Sequence, residues 1–162
     1  MRITLTGGDA QVLPTDNPDQ LALFKTHQID AVWTVEPWVS RLEMEAQGKV
    51  LVEEKDSVTT VLVSSRKLID KQRDLVRRFV AAHAELTEWI RTHPAEAQAM
   101  VRDELAAETH TQVSADLVTH AWPRIVLATG VNRAALESFV AKAQQAGFLR
   151  GTPDLGRLVE AP

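Results

Sequence analysis

The feature that most constrains this chain is a change of rhythm between its first third and the rest. Up to about residue 60 the apolar residues come in short runs punctuated by turn and cap signals. Beyond it they recur at the three- and four-residue spacing of amphipathic helices. Ile3-Thr4-Leu5 predicts a brief strand, closed by a turn at Gly7-Gly8. Asn17-Pro18-Asp19-Gln20 predicts a helix start, with Asn17 as N-cap, Pro18 in the first helical position and Gln20 completing a capping box. Leu21, Leu23 and Phe24 supply the apolar surface of this helix, which fades near His27-Gln28. Ile29-Asp30-Ala31-Val32-Trp33 reads as a buried interior strand. Pro37 opens a second helix, Trp38 to Gln47, closed by Gly48. Lys49-Val50-Leu51-Val52 and Thr59-Thr60-Val61-Leu62-Val63 read as further strands, rich in β-branched residues. This alternation predicts an α/β fold class with a parallel sheet.

From Lys67 onward the signals are helical. Leu75, Val76, Phe79, Val80, His83, Leu86 and Ile90 form one stripe on a helix from Asp74 to Thr92. His93-Pro94 breaks it and starts another helix, with Ala97, Met100, Val101 and Leu105 inward. Ser114 caps a shorter helix that Pro123 stops. Asn132 caps the last long one, which ends at Gly147 in a Schellman-type turn with Phe148 packing back on it. The shift in composition places the expected division at residues 1–57, an α/β segment, and 58–162, mainly helical.

With 162 residues and 44% apolar side chains, one domain or two small lobes need no disulfide or structural metal. A net charge of -4 argues against a nucleic-acid partner, which demands concentrated cationic charge. The absence of cysteine removes thiol catalysis, zinc ribbons and redox motifs. No apolar run is long enough to span a membrane, and no signal-peptide core follows Met1.

Catalytic signals are weak. His27, His83, His93, His110 and His120 fall in separate elements without metal-ligand spacing. His83, on the apolar stripe, reads as a core or interface histidine. Glu53-Glu54 point to opposite faces of a strand, and Gly7-Gly8 is too short for a phosphate loop. No catalytic residue, metal site or cofactor is predicted. The stretch Asp30 to Trp38 is different: a strand runs into a loop bearing two tryptophans and a glutamate, then into a helix. Ligands of open α/β sheets bind beyond strand ends, and a helix N-terminus there offers unpaired N–H groups. Trp33, Thr34, Glu36, Pro37 and Trp38 are therefore the candidate ligand-binding residues. Glu36 also reads as a carboxylate stabilised by the helix dipole. Trp33 reads rather as core, and Trp38 equally as a staple between helix and sheet.

Asn17-Pro-Asp-Gln-Leu-Ala-Leu-Phe-Lys, Gln28-Ile-Asp-Ala-Val-Trp, Glu36-Pro-Trp-Val-Ser-Arg-Leu and Gly48-Lys-Val-Leu resemble the second half of the solute-binding proteins of ABC importers for nitrate, sulfonate and taurine. The likeness runs over about residues 9 to 160. It implies a truncated type II periplasmic-binding-protein fold, a parallel-sheet lobe followed by a mainly helical C-terminal part, with the solute held between two lobes. By position, the resemblance puts Trp33, Thr34, Glu36, Pro37 and Trp38 at the cleft edge and Val58 to Thr60 near the hinge. It implies a small-molecule solute and an ABC permease as partners, no enzymatic activity, and a periplasmic or extracytoplasmic location for the full-length parent. Members of that family are longer, so the chain is expected to be a C-terminal portion. Its helices then lack a sheet to cover Leu75, Phe79 and Leu86, and self-association through these apolar helix faces is expected. Two alternatives share the superfamily resemblance: an enzyme like the thiamine-pyrimidine synthases, and a ligand-sensing module that no longer transports.

Overall fold

The computed structural model describes residues 3–4, 10–55 and 58–159. Leu5 and the turn expected at Gly7-Gly8 lie outside them. The described residues form β1 (Ile3–Thr4), β2 (Ala10–Gln11), α1 (Asn17–Lys25), α2 (Trp38–Ala46), α3 (Arg66–Lys71), α4 (Arg73–Thr92), α5 (Pro94–Thr109), α6 (Ala115–Ala121) and α7 (Arg133–Gln145). Short 3-10 turns follow at Trp122–Arg124 and Leu155–Arg157. β1 and β2 pair in parallel, with Ile3 opposite Ala10 and Thr4 opposite Gln11.

The α/β class expected from the sequence, a parallel-sheet lobe of a truncated type II periplasmic-binding-protein fold, is therefore corrected: the chain is mainly helical. Apart from the two-residue β1 and β2, the described residues contain no strand. Residues 29–33, 49–52 and 59–63 have strand composition, yet among the described residues their backbones bond to no neighbouring strand. The reason is physical. A helix closes its hydrogen bonds within itself, whereas a strand exists only if another chain segment accepts and donates along its edge. Composition shows which segments suit a sheet, not whether a partner is present. Trp33, read as part of a buried strand, is accordingly 78% exposed, and Leu51 is 85% exposed.

The chain divides into two compact units, one of Met1–Glu53 with Gln98–Ile125, the other of Glu54–Ala97 with Val126–Pro162. In the first, α1 packs on α2 and α2 on α6. Leu21, Leu42, Val118 and Ala121 form its apolar core, with Gln20 and Ser40 buried beside them. The helix α1 begins one residue earlier than its sequence signals suggest. Asp16 is the N-cap, and Asn17, now helical, accepts a hydrogen bond from Gln20 Nε2 at 3.0 Å. The end of α2 is tight around Gly48. Gly48 donates to the Leu42 carbonyl, and a Cβ at Gly48 would stand 3.1 Å from that oxygen.

In the second unit α3 packs on α4. Ser65 caps α3 by accepting from Leu68 N–H, and Asn132 caps α7 by accepting from Ala135 N–H. At the end of α7, Phe148 N–H bonds to Ala143 O and Gly147 N–H to Gln144 O, with Gly147 at φ 79°. That is the Schellman pattern expected, although Phe148 is exposed instead of packing back. The stripe of α4 is present but largely uncovered. Leu75, Phe79 and Leu86 are exposed, Val76, Val80 and Ile90 are half-buried, and His83 is exposed, not a core residue.

Candidate functional site

The loop between α1 and α2 is tethered at both ends. Asn17 Oδ1, on the first turn of α1, accepts from Thr34 Oγ1 at 3.4 Å. Val35 O accepts from the N–H groups of Trp38 and Val39, which starts α2, with Pro37 as its N-cap after a cis Glu36–Pro37 bond. Glu36 then turns back on the helix it precedes. Its Oε2 accepts from Ser40 N–H at 3.1 Å, satisfying one of the amides left open in a first turn.

Ser40 and Glu43 share one face of α2, Glu36 folds back onto it from just before the helix, and that face meets the segment containing α6 and the following 3-10 turn. Arg124 Nη1 donates to Glu36 Oε1 at 2.9 Å and lies 2.8 Å from Glu43 Oε2; its Nη2 donates to Glu43 Oε1 at 3.2 Å. His120 Nε2 lies 2.9 Å from Glu43 Oε2. The Glu36 side chain is only 9% exposed, that of Glu43 23% and that of Arg124 25%. Between the two carboxylates, Ser40 is wholly buried and its hydroxyl has no hydrogen-bond partner among the described residues.

Burial pushes the Glu43 carboxyl up, but hydrogen bonds from His120 and Arg124, with their charges, outweigh it and hold the group below the usual carboxylate value. Arg124 is raised above its ordinary value, first by its hydrogen bond to Glu36, and burial only partly opposes this. Outside this cluster, the Arg41 guanidinium lies 5.2 Å from the centre of the Trp38 ring, within cation–π range. Arg41 Nε also donates to Glu45 Oε1 at 2.8 Å. That bond is the main reason the Glu45 carboxyl is lowered against the effect of burial.

The structure thus separates the five sequence-identified residues into two roles. Glu36 faces inward, committed to Arg124 and the helix amide. Thr34 and Pro37 shape the loop. Trp38 is half-buried beneath Arg41, and Trp33 presents its ring to solvent. Chemically, the cluster is a clamp: one guanidinium bridges both carboxylates. The open face belongs to the indoles, which suit stacking or apolar contact. Sequence reasoning missed Glu43, His120 and Arg124. The three-residue spacing of Ser40 and Glu43 was a usable signal for a polar helix face, but no local pattern names its partner some eighty residues away. Among the described residues no group of histidines and carboxylates is arranged to hold a metal. A shallow concavity of about 500 Å³, lined by Arg102, Ala106 and residues 112–115, includes none of the five.

A family model described as the NMT1-like family matches residues 5–104, well over half of the chain. The chain belongs to the NMT1-like family. NMT1-like binding proteins bind small-molecule ligands. The matched span contains the whole Trp33–Trp38 loop and Glu43, and it ends within α5, before His120 and Arg124. No curated protein and no solved structure matches this NMT1-like chain.

Proposed function

We propose that this NMT1-like chain is a non-enzymatic binding module for a small solute such as nitrate, a sulfonate or taurine, serving an ABC importer. In this reading its partner is the importer's permease, and the full-length parent works in the periplasm or elsewhere outside the cytoplasm. The observation that carries the reading is the Trp33 ring, 78% exposed on a loop anchored to two helices. A large aromatic surface held out by a fixed loop contributes contact area at little entropic cost, and family membership supports a small-molecule ligand in general. Glu36 refines the expectation. Because its carboxylate already occupies the first-turn amide of α2, a ligand anion would compete with it there. Alkyl sulfonates and taurine carry an anion too, but they also have a body that can lie against the exposed Trp33 ring, so they fit this loop better than nitrate, which is an anion alone.

Titration calorimetry of the chain against nitrate, taurine and a series of alkyl sulfonates tests the reading. Heat is expected with the sulfonates, and Trp33→Ala should weaken their binding about tenfold while leaving the unfolding midpoint unchanged. Absence of heat with every solute, or full affinity in Trp33→Ala, would remove the loop from ligand binding.

A further inference from the structure

The apolar surface of α4 has two sides. Thr87 is buried and Val76, Val80 and Ala84 are half-buried, which marks the covered side. On the other, Leu75, Phe79 and Leu86 are 45%, 57% and 52% exposed, and Ala82 among them is exposed too. These four follow the alternating four- and three-residue spacing of a coiled-coil seam. Along one edge of the seam stand Arg78 and Glu85, one heptad apart. Both are exposed, and neither makes a hydrogen bond or an ion pair among the described residues. Arg77 and Arg91, by contrast, are paired within the helix to Asp74 and Glu88. A free guanidinium and a free carboxylate one heptad apart on the same edge are complementary to their own reversal. The stripe alone leads to an expectation of self-association; this charged edge names the occupant and its direction.

We propose that α4 joins two copies of this chain through an antiparallel, two-fold pairing of their exposed seams. In this pairing Phe79 packs against the partner's Ala82 and Leu75 against the partner's Leu86, and the symmetry repeats each contact. Arg78 then faces the partner's Glu85 on one edge, twice over, while on the other edge Val76 meets the partner's His83. Sliding one helix by a heptad in either direction sets Arg78 against the partner's Arg78 or Glu85 against the partner's Glu85. Like charges oppose both shifts, so a single alignment is selected. A parallel pair gains nothing from the charges, since Arg78 would face the partner's His83 and Glu85 the partner's Ile90. A lipid surface is a poorer occupant, because it favours a strongly basic polar face and the arginines of α4 are interspersed with Asp74, Glu85 and Glu88.

Sedimentation velocity over a range of concentrations should show a reversible monomer–dimer equilibrium. Arg78→Glu alone makes the edge wholly acidic, Glu85→Arg alone makes it wholly basic, and each should weaken self-association about tenfold by turning two attractive pairs repulsive. Mixing the two variants should restore association as a heterodimer, and the double exchange Arg78→Glu/Glu85→Arg should restore it within one chain. Phe79→Asp should abolish the dimer while leaving helix content by circular dichroism unchanged, because the side chain it replaces is exposed in the single chain. Monomer at all concentrations, a dimer indifferent to the single charge changes or to Phe79→Asp, or failure of the mixed variants to associate would overturn the proposal. None of these readouts depends on solute binding.

Discussion

Arg124→Met tests the clamp directly, since it removes the guanidinium and keeps most of the apolar stem. The wild-type side chain reaches Glu36 at 2.9 Å and Glu43 at 2.8 Å. Charge-assisted hydrogen bonds contribute about 1.5–3 kcal/mol each. Glu36, 9% exposed, has little solvent to replace its lost partner, so the full value applies there. Glu43 is more exposed and keeps His120, so its share shrinks toward the surface value of under about 1 kcal/mol. The expected cost is about 3 kcal/mol, a large part of a typical total of about 5–15 kcal/mol. Urea unfolding followed by circular dichroism should show the midpoint falling by about 1–3 M for an m-value in the usual range of about 1–3 kcal/mol/M. Glu36→Gln supplies the second edge of a double-mutant cycle and should reveal a coupling of about 1–2 kcal/mol with Arg124→Met. Arg41→Met is the control: its partner Glu45 is 39% exposed, so it should cost under about 1 kcal/mol. The reasoning fails if Arg124→Met costs no more than Arg41→Met, or if the cycle shows strict additivity.

Three further outcomes follow from the same geometry. Ser40→Ala should raise stability by about 1 kcal/mol, since it deletes a buried hydroxyl that has no partner among the described residues; a loss of stability in urea unfolding would show that the hydroxyl is satisfied. Acidification should destabilise the fold. The Glu43 carboxyl is lowered in the folded chain, so its contribution is complete above the ordinary value of 4.5 and is lost as pH falls through the lowered one. Arg124→Met should shift that acid limb of the stability profile upward, and an unchanged profile would contradict the assignment. Gly147→Ala should cost about 1 kcal/mol because φ 79° suits only a residue without Cβ, and thermal unfolding at unchanged stability would contradict that.

What could be read in the residues was local. Ser114 and Asn132 were legible as caps because the side chain that accepts sits three residues before the amide that donates. The breaks at His93-Pro94 and Gly147 were legible because proline and glycine act on their own turns. The long amphipathic helix was legible from its period, but not the exposure of Leu75, Phe79 and Leu86, since a stripe records what a helix can bury and not whether anything covers it. The strands failed for the same reason, at residues 29–33, 49–52 and 59–63. The site was half legible. A strand-like run into an indole-bearing loop drew notice to Glu36, but its partner Arg124 follows α6 and carries no mark of that pairing.

The contrasting positions of Trp33 and Trp38 give the molecule a built-in optical readout. An indole that is mostly in water emits at long wavelength and is readily quenched by acrylamide, whereas one roofed by a guanidinium is shielded on that side. A solute that settles over Trp33 would shift its emission to the blue and protect it from the quencher, so occupancy of the loop can be followed without any label.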